Sequence, residues 1–148
     1  MNSNGKFILI LEKEISSNPE DAFEAFTNPN KLSIWFTTSA RAELRVGGKY
    51  VNADGDHGEY LTLDPPQRVA FTWENDKHCP GTVVTVTIDR NNSKSVTLRL
   101  EHSGLESEAD YEDMKGGWSW ALDSLKSFLE TGKPISHEVW LRQRRAEE

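Results

Sequence analysis

Gly116-Gly-Trp-Ser-Trp-Ala-Leu-Asp-Ser-Leu-Lys-Ser-Phe-Leu129 is the stretch on which the fold turns. At about 100° per residue, Met114, Trp118, Ala121, Leu122, Leu125, Phe128 and Leu129 fall within an arc of roughly 120°, the width of one buried helix face. Ser119, Asp123, Lys126, Ser127 and Glu130 take the other side, and Trp120 lies about 160° from the centre of the stripe, among Asp123, Ser124 and Ser127. Glycine inside a helix costs about 1 kcal/mol relative to alanine, so the pair Gly116-Gly117 has to be explained. Either space is being left beside Trp118, which points to a ligand cavity, or the pair marks a frayed or kinked helix start. Ser107-x-x-Asp110 has the form of a capping box with aspartate for the usual glutamate, and places the helix start near Glu108. Gly132, followed by Pro134, stops it.

A helix apolar on one side only must be covered, and the chain upstream supplies the cover. From Ala40 to His102 the hydrophobic period is two. Turn signals recur at Gly47-Gly48, Asp54-Gly55-Asp56, Asp64-Pro65-Pro66, Asn75-Asp76 and Asn91-Asn92-Ser93, dividing the region into six strands. Connections this short leave no room for crossover helices, so the sheet is an antiparallel meander. Val69, Phe71 and Trp73 share one face of their strand, as do Val84, Val86 and Ile88, and Val96, Leu98, Leu100 and His102; these are the core faces. Thr85, Thr87, Asp89, Thr97, Arg99 and Glu101 face water. Ahead of the meander, Phe7 to Ile15 reads as a strand. Asn18-Pro19-Glu20-Asp21 and Asn28-Pro29 then open two short helices, the first burying Ala22, Phe23, Ala25 and Phe26 and the second ending near Trp35 and Phe36.

Composition narrows the functional classes. The 148 residues make one domain by length, spanning residues 1–132, with 133–148 as a tail that either docks as a short extra helix or mediates association. One cysteine, Cys79, excludes an internal disulfide and fits a reducing, cytoplasmic compartment. A net charge of −7 argues against nucleic acid as a partner. The longest apolar run, Phe7 to Leu11, is too short for membrane insertion, and Met1 to Lys6 does not read as a signal peptide.

Five blocks carry a resemblance: residues 18–36, Leu-Arg-Val-Gly-Gly-Lys-Tyr (44–50), Asp-Pro-Pro-Gln-Arg-Val-Ala-Phe-Thr-Trp (64–73), Leu-Glu-His-Ser-Gly (100–104) and Gly-Trp-x-x-x-Leu-Asp-x-Leu (117–125). In this order they resemble the activator of heat-shock protein 90 ATPase homologue type of the START-like (SRPBCC) superfamily. The resemblance covers about residues 7 to 131. It implies an α+β helix-grip fold of the Bet v-like kind: a curved antiparallel sheet wrapped around a long C-terminal helix, with a cavity between them. It says little about chemistry, because the superfamily includes lipid carriers, hormone receptors and polyketide cyclases and dehydratases. The co-chaperone activity in the family name belongs to proteins with an additional N-terminal domain.

Trp35, Phe36, Tyr50, Asn52, Trp73, His102, Met114, Trp118 and Leu122 are the candidate cavity residues. His102 sits one step beyond an apolar series, where an imidazole either meets a ligand or bonds a neighbouring backbone group. Asn52 shares parity with Tyr50 where the family pattern has large apolar residues. It either points inward and needs a partner, such as a ligand, water or His102, or is turned outward by a bulge. Lys77-His78-Cys79-Pro80 reads as a loop, His57 as exposed, and Asp54-x-Asp56 lacks the rest of a calcium loop, so no metal, cofactor or catalytic residue is assigned.

Three functions follow. The first is binding of a small hydrophobic or amphipathic molecule between sheet and helix. The second is an enzyme of the polyketide cyclase or dehydratase kind using His102; Glu59, Glu74 and Glu101, read as outward, give it no second group. The third is a co-chaperone or homodimer using Trp120 and the Val139, Trp140 tail.

Overall fold

A computed structural model describes residues 7–37, 39–75 and 78–147. Strand β1 (Phe7–Ile15) is followed by helices α1 (Pro19–Thr27) and α2 (Pro29–Trp35), then by β2 (Ala40–Ala42), β3 (Lys49–Asn52), β4 (His57–Asp64), β5 (Arg68–Asn75), β6 (His78–Arg90) and β7 (Val96–Leu105). Helix α3 (Glu108–Thr131) and a docked α4 (His137–Glu147) complete the chain. The seven strands form one antiparallel sheet in the order β1-β7-β6-β5-β4-β3-β2, so the meander β2 to β7 is extended at β7 by the N-terminal strand.

Each helix start expected from the sequence has its cap. The Asn18 side chain accepts from the Asp21 amide, Asn28 from Asn30, and Ser107 from Asp110, each meeting one of the donors that a helix leaves unpaired in its first turn. Gly132 ends α3 in the left-handed conformation at φ 83°, the geometry that favours glycine.

Curvature comes from irregularities in the ladders. Between β1 and β7 the pairs Phe7↔Leu105 and Leu9↔His102 leave an extra residue on β7, where Gly104 sits at φ 87°. A further shift lies between Tyr60 and Thr62 on β4. At Gly58 the strands come so close that an added Cβ would lie 2.0 Å from the Thr72 carbonyl oxygen, which no side chain tolerates.

The concave face of the sheet is the apolar one. Val69, Phe71, Trp73, Val84, Val86, Ile88, Val96, Leu98, Leu100 and His102 are all buried, as alternation requires. Helix α3 lies across this face with Trp118, Ala121, Leu122 and Leu125 buried. Polar ties fix its position: Lys13 pairs with Asp123, Lys126 donates to the Glu14 carbonyl at 2.8 Å, and the Ser16 amide donates to Glu130 at 2.8 Å. The Lys126 ammonium, bonded to Glu130 as well, holds that carboxyl below its ordinary range.

Ser124 departs from the face reading. Helix-face counting puts it on the polar side, yet it is fully buried, donating to the Trp35 carbonyl at 2.7 Å and accepting from the Ile135 amide at 3.2 Å. The tail and α2 both pack on the flank of α3 that counting had left to solvent, and a small hydroxyl serves both contacts. Residues 76–77, where the sequence signals a turn and the Lys77-His78-Cys79-Pro80 segment begins, lie outside the described residues. The strand resumes at His78, so the segment read as a loop through Pro80 is strand from its second residue onward.

Candidate functional site

The buried histidine is built into a relay of hydrogen bonds. Thr82 continues the inward parity of Val84, Val86 and Ile88, and its hydroxyl donates to the Trp73 carbonyl at 2.5 Å. The same oxygen therefore accepts from Nε2 of His102, 2.8 Å away. Nδ1 of His102 is left as an acceptor and receives the Trp118 indole N–H at 3.0 Å. The neutral Nε2–H tautomer satisfies all three groups, and burial pushes the imidazole pKa down to about 4. Both ring nitrogens are thus spent on the protein.

Tyr50 and Asn52 both point inward, and the pairing of β3 with β2 and β4 runs without a bulge. The Tyr50 hydroxyl donates to the Thr72 carbonyl at 2.6 Å, and burial, with Asp56 nearby, raises its pKa. Burial likewise raises Tyr60, to about 12. The Asn52 carboxamide has no partner among the described residues. It borders an interior cavity of about 30 Å³ with Phe26, Leu32, Tyr50, Tyr60 and Phe71. That space suits a water molecule rather than an organic ligand.

The larger space lies on the other side of an aromatic partition. Phe36, Trp73 and Trp118 line both the interior cavity and an open groove of about 300 Å³. The partition is tight: Phe36 stacks on Trp118 at 5.6 Å and 6°, and Trp73 packs on Trp118 at 5.0 Å. Asp54, Asp56, Asn75, Met114, Gly117, Trp120 and His137 complete the groove. A Cβ built on Gly116 or Gly117 meets nothing within 4 Å, and both residues sit well inside α3 rather than at its start; Gly117 is exposed and borders the groove, and Gly116 does not line it. Within the wall, the Trp73 indole N–H is buried and has no hydrogen-bond partner among the described residues.

Of the nine candidate residues, Phe36, Trp73, Met114 and Trp118 meet in the groove, and Tyr50 and Asn52 lie behind the partition. His102 and Leu122 border neither space. Trp35 is buried with its N–H donated to the Ala25 carbonyl at 2.7 Å, and it reaches only a surface depression beside Ile34 and Ile135. Groove residues not anticipated are Asp54, Asp56, Asn75 and His137. Trp120, assigned to the tail or a partner, is covered by the tail while also lining the groove. Its N–H donates to the Ile135 carbonyl at 2.7 Å and its ring meets His137 edge-on. Among the described residues no group of three or more His, Cys, Asp or Glu side chains could hold a metal ion, and no helix is long and apolar enough to cross a membrane.

A family model described as Activator of Hsp90 ATPase homolog 1-like protein matches residues 16–130. The chain belongs to this family. Activator of Hsp90 ATPase homolog 1-like relatives include the Dictyostelium discoideum activator of 90 kDa heat shock protein ATPase homolog, 28% identical over 122 residues, covering 80% of this chain and 32% of the relative. The human homolog 1 is 23% identical over 122 residues, covering 80% of this chain and 36% of the relative. The chain thus spans about a third of the length of these curated relatives. Among solved structures, CalU16 from Micromonospora echinospora is similar at a TM-score of 0.79 and 26% identity, over 95% of this chain and 84% of that one. An Hsp90 activator from Plasmodium falciparum, at 0.69 and 24% identity over 76% of this chain and 87% of that one, shares the fold. The helix-grip architecture expected of the family is the one found.

Proposed function

We propose that this domain binds a small, largely apolar molecule in the open groove beside Gly117, on the solvent side of the Phe36–Trp73–Trp118 partition. The observation that carries the reading is the free volume of about 300 Å³ beside Gly117, walled by Phe36, Trp73, Trp118 and Trp120. Ligand sites are mostly apolar concavities with a few polar groups that fix orientation, and the Asp54 and Asn75 side chains border the groove as such groups. The cavity beside Asn52 is too small for this role, and both ring nitrogens of His102 are bonded within the protein.

The test is to fill the groove from a position that tolerates filling. Gly117→Leu projects a side chain into space where no atom lies within 4 Å. Titration of the intact protein with the neutral fluorophore 1-aminoanthracene should give a Kd at least tenfold weaker for this variant, with an unchanged melting temperature. Equal affinity would reject the groove.

Family membership supports a second reading, a module that acts on an Hsp90-type ATPase, as the names of its longer relatives state for those proteins. ATPase rates of an Hsp90 with and without this protein would decide it. A homodimer built through Trp120 and the tail belongs to the same reading, and light scattering on the intact protein tests it.

A further inference from the structure

We infer that the groove's ligand carries a neutral hydrogen-bonding head group, such as a carboxamide, that passes the Phe36 ring and bonds Asn52 behind the partition; the inference rests on the groove being a ligand site. Asn52 is 6% exposed on the inward face of β3, and its side chain has no partner among the described residues. One methylene separates its carboxamide from the backbone, so a side chain that borders the interior cavity brings the polar group to it. A buried carboxamide without a partner costs free energy, which an incoming donor and acceptor would recover. No described charged side chain borders this cavity. Burial beside it raises the Tyr60 hydroxyl to about 12, so the same surroundings penalise a carboxylate or an ammonium and favour a neutral group.

Phe36 is the movable part of the partition. Trp118 is held by its N–H bond to His102 at 3.0 Å, and Trp73 stands within β5, which is paired on both sides. Phe36 lies at the C-cap of the seven-residue α2, half-buried, and its ring is held by packing alone, against Trp35 at 5.2 Å and Trp120 at 6.1 Å among others. Turning it breaks no hydrogen bond. A surface depression of about 420 Å³ also borders Phe36, with Ile34, Pro134 and Ile135 on its walls, and offers the displaced ring an apolar seat. With the ring in place, the cavity of about 30 Å³ admits only a molecule of water size. With the ring turned aside, it joins the groove of about 300 Å³.

Three probes of one shape test the inference: hydrocinnamamide, its hydrocarbon isostere isopentylbenzene, and hydrocinnamate. Each competes with 1-aminoanthracene on the intact protein. The amide should bind more tightly than the carboxylate. In Asn52→Leu, which keeps the side chain's shape, the ratio of amide to hydrocarbon affinity should fall by roughly fivefold, the worth of one neutral hydrogen bond. Phe36→Ala should speed association of the amide by about threefold or more in stopped flow, because binding no longer waits for the ring to turn. In the unaltered protein, saturating amide should shift the Asn52 side-chain N–H signals in a nitrogen–proton correlation spectrum, a readout that needs no variant to fold. A ratio unchanged in Asn52→Leu, N–H signals that stay in place, association no faster in Phe36→Ala, or a carboxylate that binds as tightly as the amide overturns the inference while the groove remains a ligand site. Failure of 1-aminoanthracene and all three probes to bind overturns both.

Discussion

Trp118 donates its indole N–H to Nδ1 of His102 at 3.0 Å, whereas Trp73, packed on Trp118 at 5.0 Å, finds no acceptor for its N–H among the described residues. Replacing either tryptophan by phenylalanine removes similar volume, but only one replacement orphans a buried acceptor. Trp118→Phe should therefore destabilise the protein by about 1–3 kcal/mol more than Trp73→Phe. Urea unfolding of the two variants gives the comparison, and equal losses would contradict the relay.

The same histidine makes stability depend on pH. Its pKa falls from 6.5 when unfolded to about 4 when folded, so between these values the unfolded chain holds the extra proton. The contribution is complete above pH 6.5 and is lost as pH falls towards 4, amounting to about 3 kcal/mol over the window. Denaturation at a series of pH values should show this slope. In His102→Gln the part of the slope between pH 6.5 and 4 should disappear.

Gly116 lies inside α3 with an ordinary helical φ and with open space around its Cβ position. Gly116→Ala should stabilise the protein by about 1 kcal/mol, since it removes backbone freedom from the unfolded chain without meeting an obstacle. Calorimetry should record a rise in Tm of about 2–4 °C.

Helix α4 is held by few contacts. Trp140 donates its N–H to Asp123 at 2.7 Å and takes the Arg144 guanidinium over its ring at 4.9 Å. Trp140→Ala should release α4 locally, so that amides of residues 139–144 lose hydrogen-exchange protection while those of β7 keep it. Loss of protection in both elements together would show that α4 unfolds only with the whole domain.

Ser124 offers a sharper test of the tail. Ser124→Ala leaves the buried Trp35 carbonyl and the Ile135 amide without their partner, and should cost about 1–3 kcal/mol in urea unfolding. A surface serine would give a change near zero.

Element order, the caps at Asn18, Asn28 and Ser107, and the inward faces of β5 to β7 were legible because they depend on neighbours a few residues apart. The different roles of Trp118 and Trp120 were legible for the same reason, since helix geometry alone separates them. The site was not. Whether His102 meets a ligand or Thr82 depends on which residues β6 brings beside β7, and on Trp118 arriving from α3. Thr82 carried a faint signal, standing one step before the Val84 series at the same parity. Asp54, Asp56 and His137 had none, because a turn and the tail reach the groove only once the sheet has curved. Ser124 escapes face counting because a helix packed on two sides does not obey a single stripe.

A sheet that does not close on itself has two borders, and each is an invitation to another chain. At one, β2 is only three residues long, too short to template a partner strand. At the other, β1 carries Glu12, Lys13 and Glu14 in its second half, where charge and the Ser16 to Glu130 bond obstruct intermolecular pairing. Its first half, Phe7 to Ile10, carries no charge, and Ile8 and Ile10 are exposed on the convex side. In concentrated solution, edge-to-edge association would begin along this apolar half-strand, and a lysine at position 8 or 10 is the change that would suppress it.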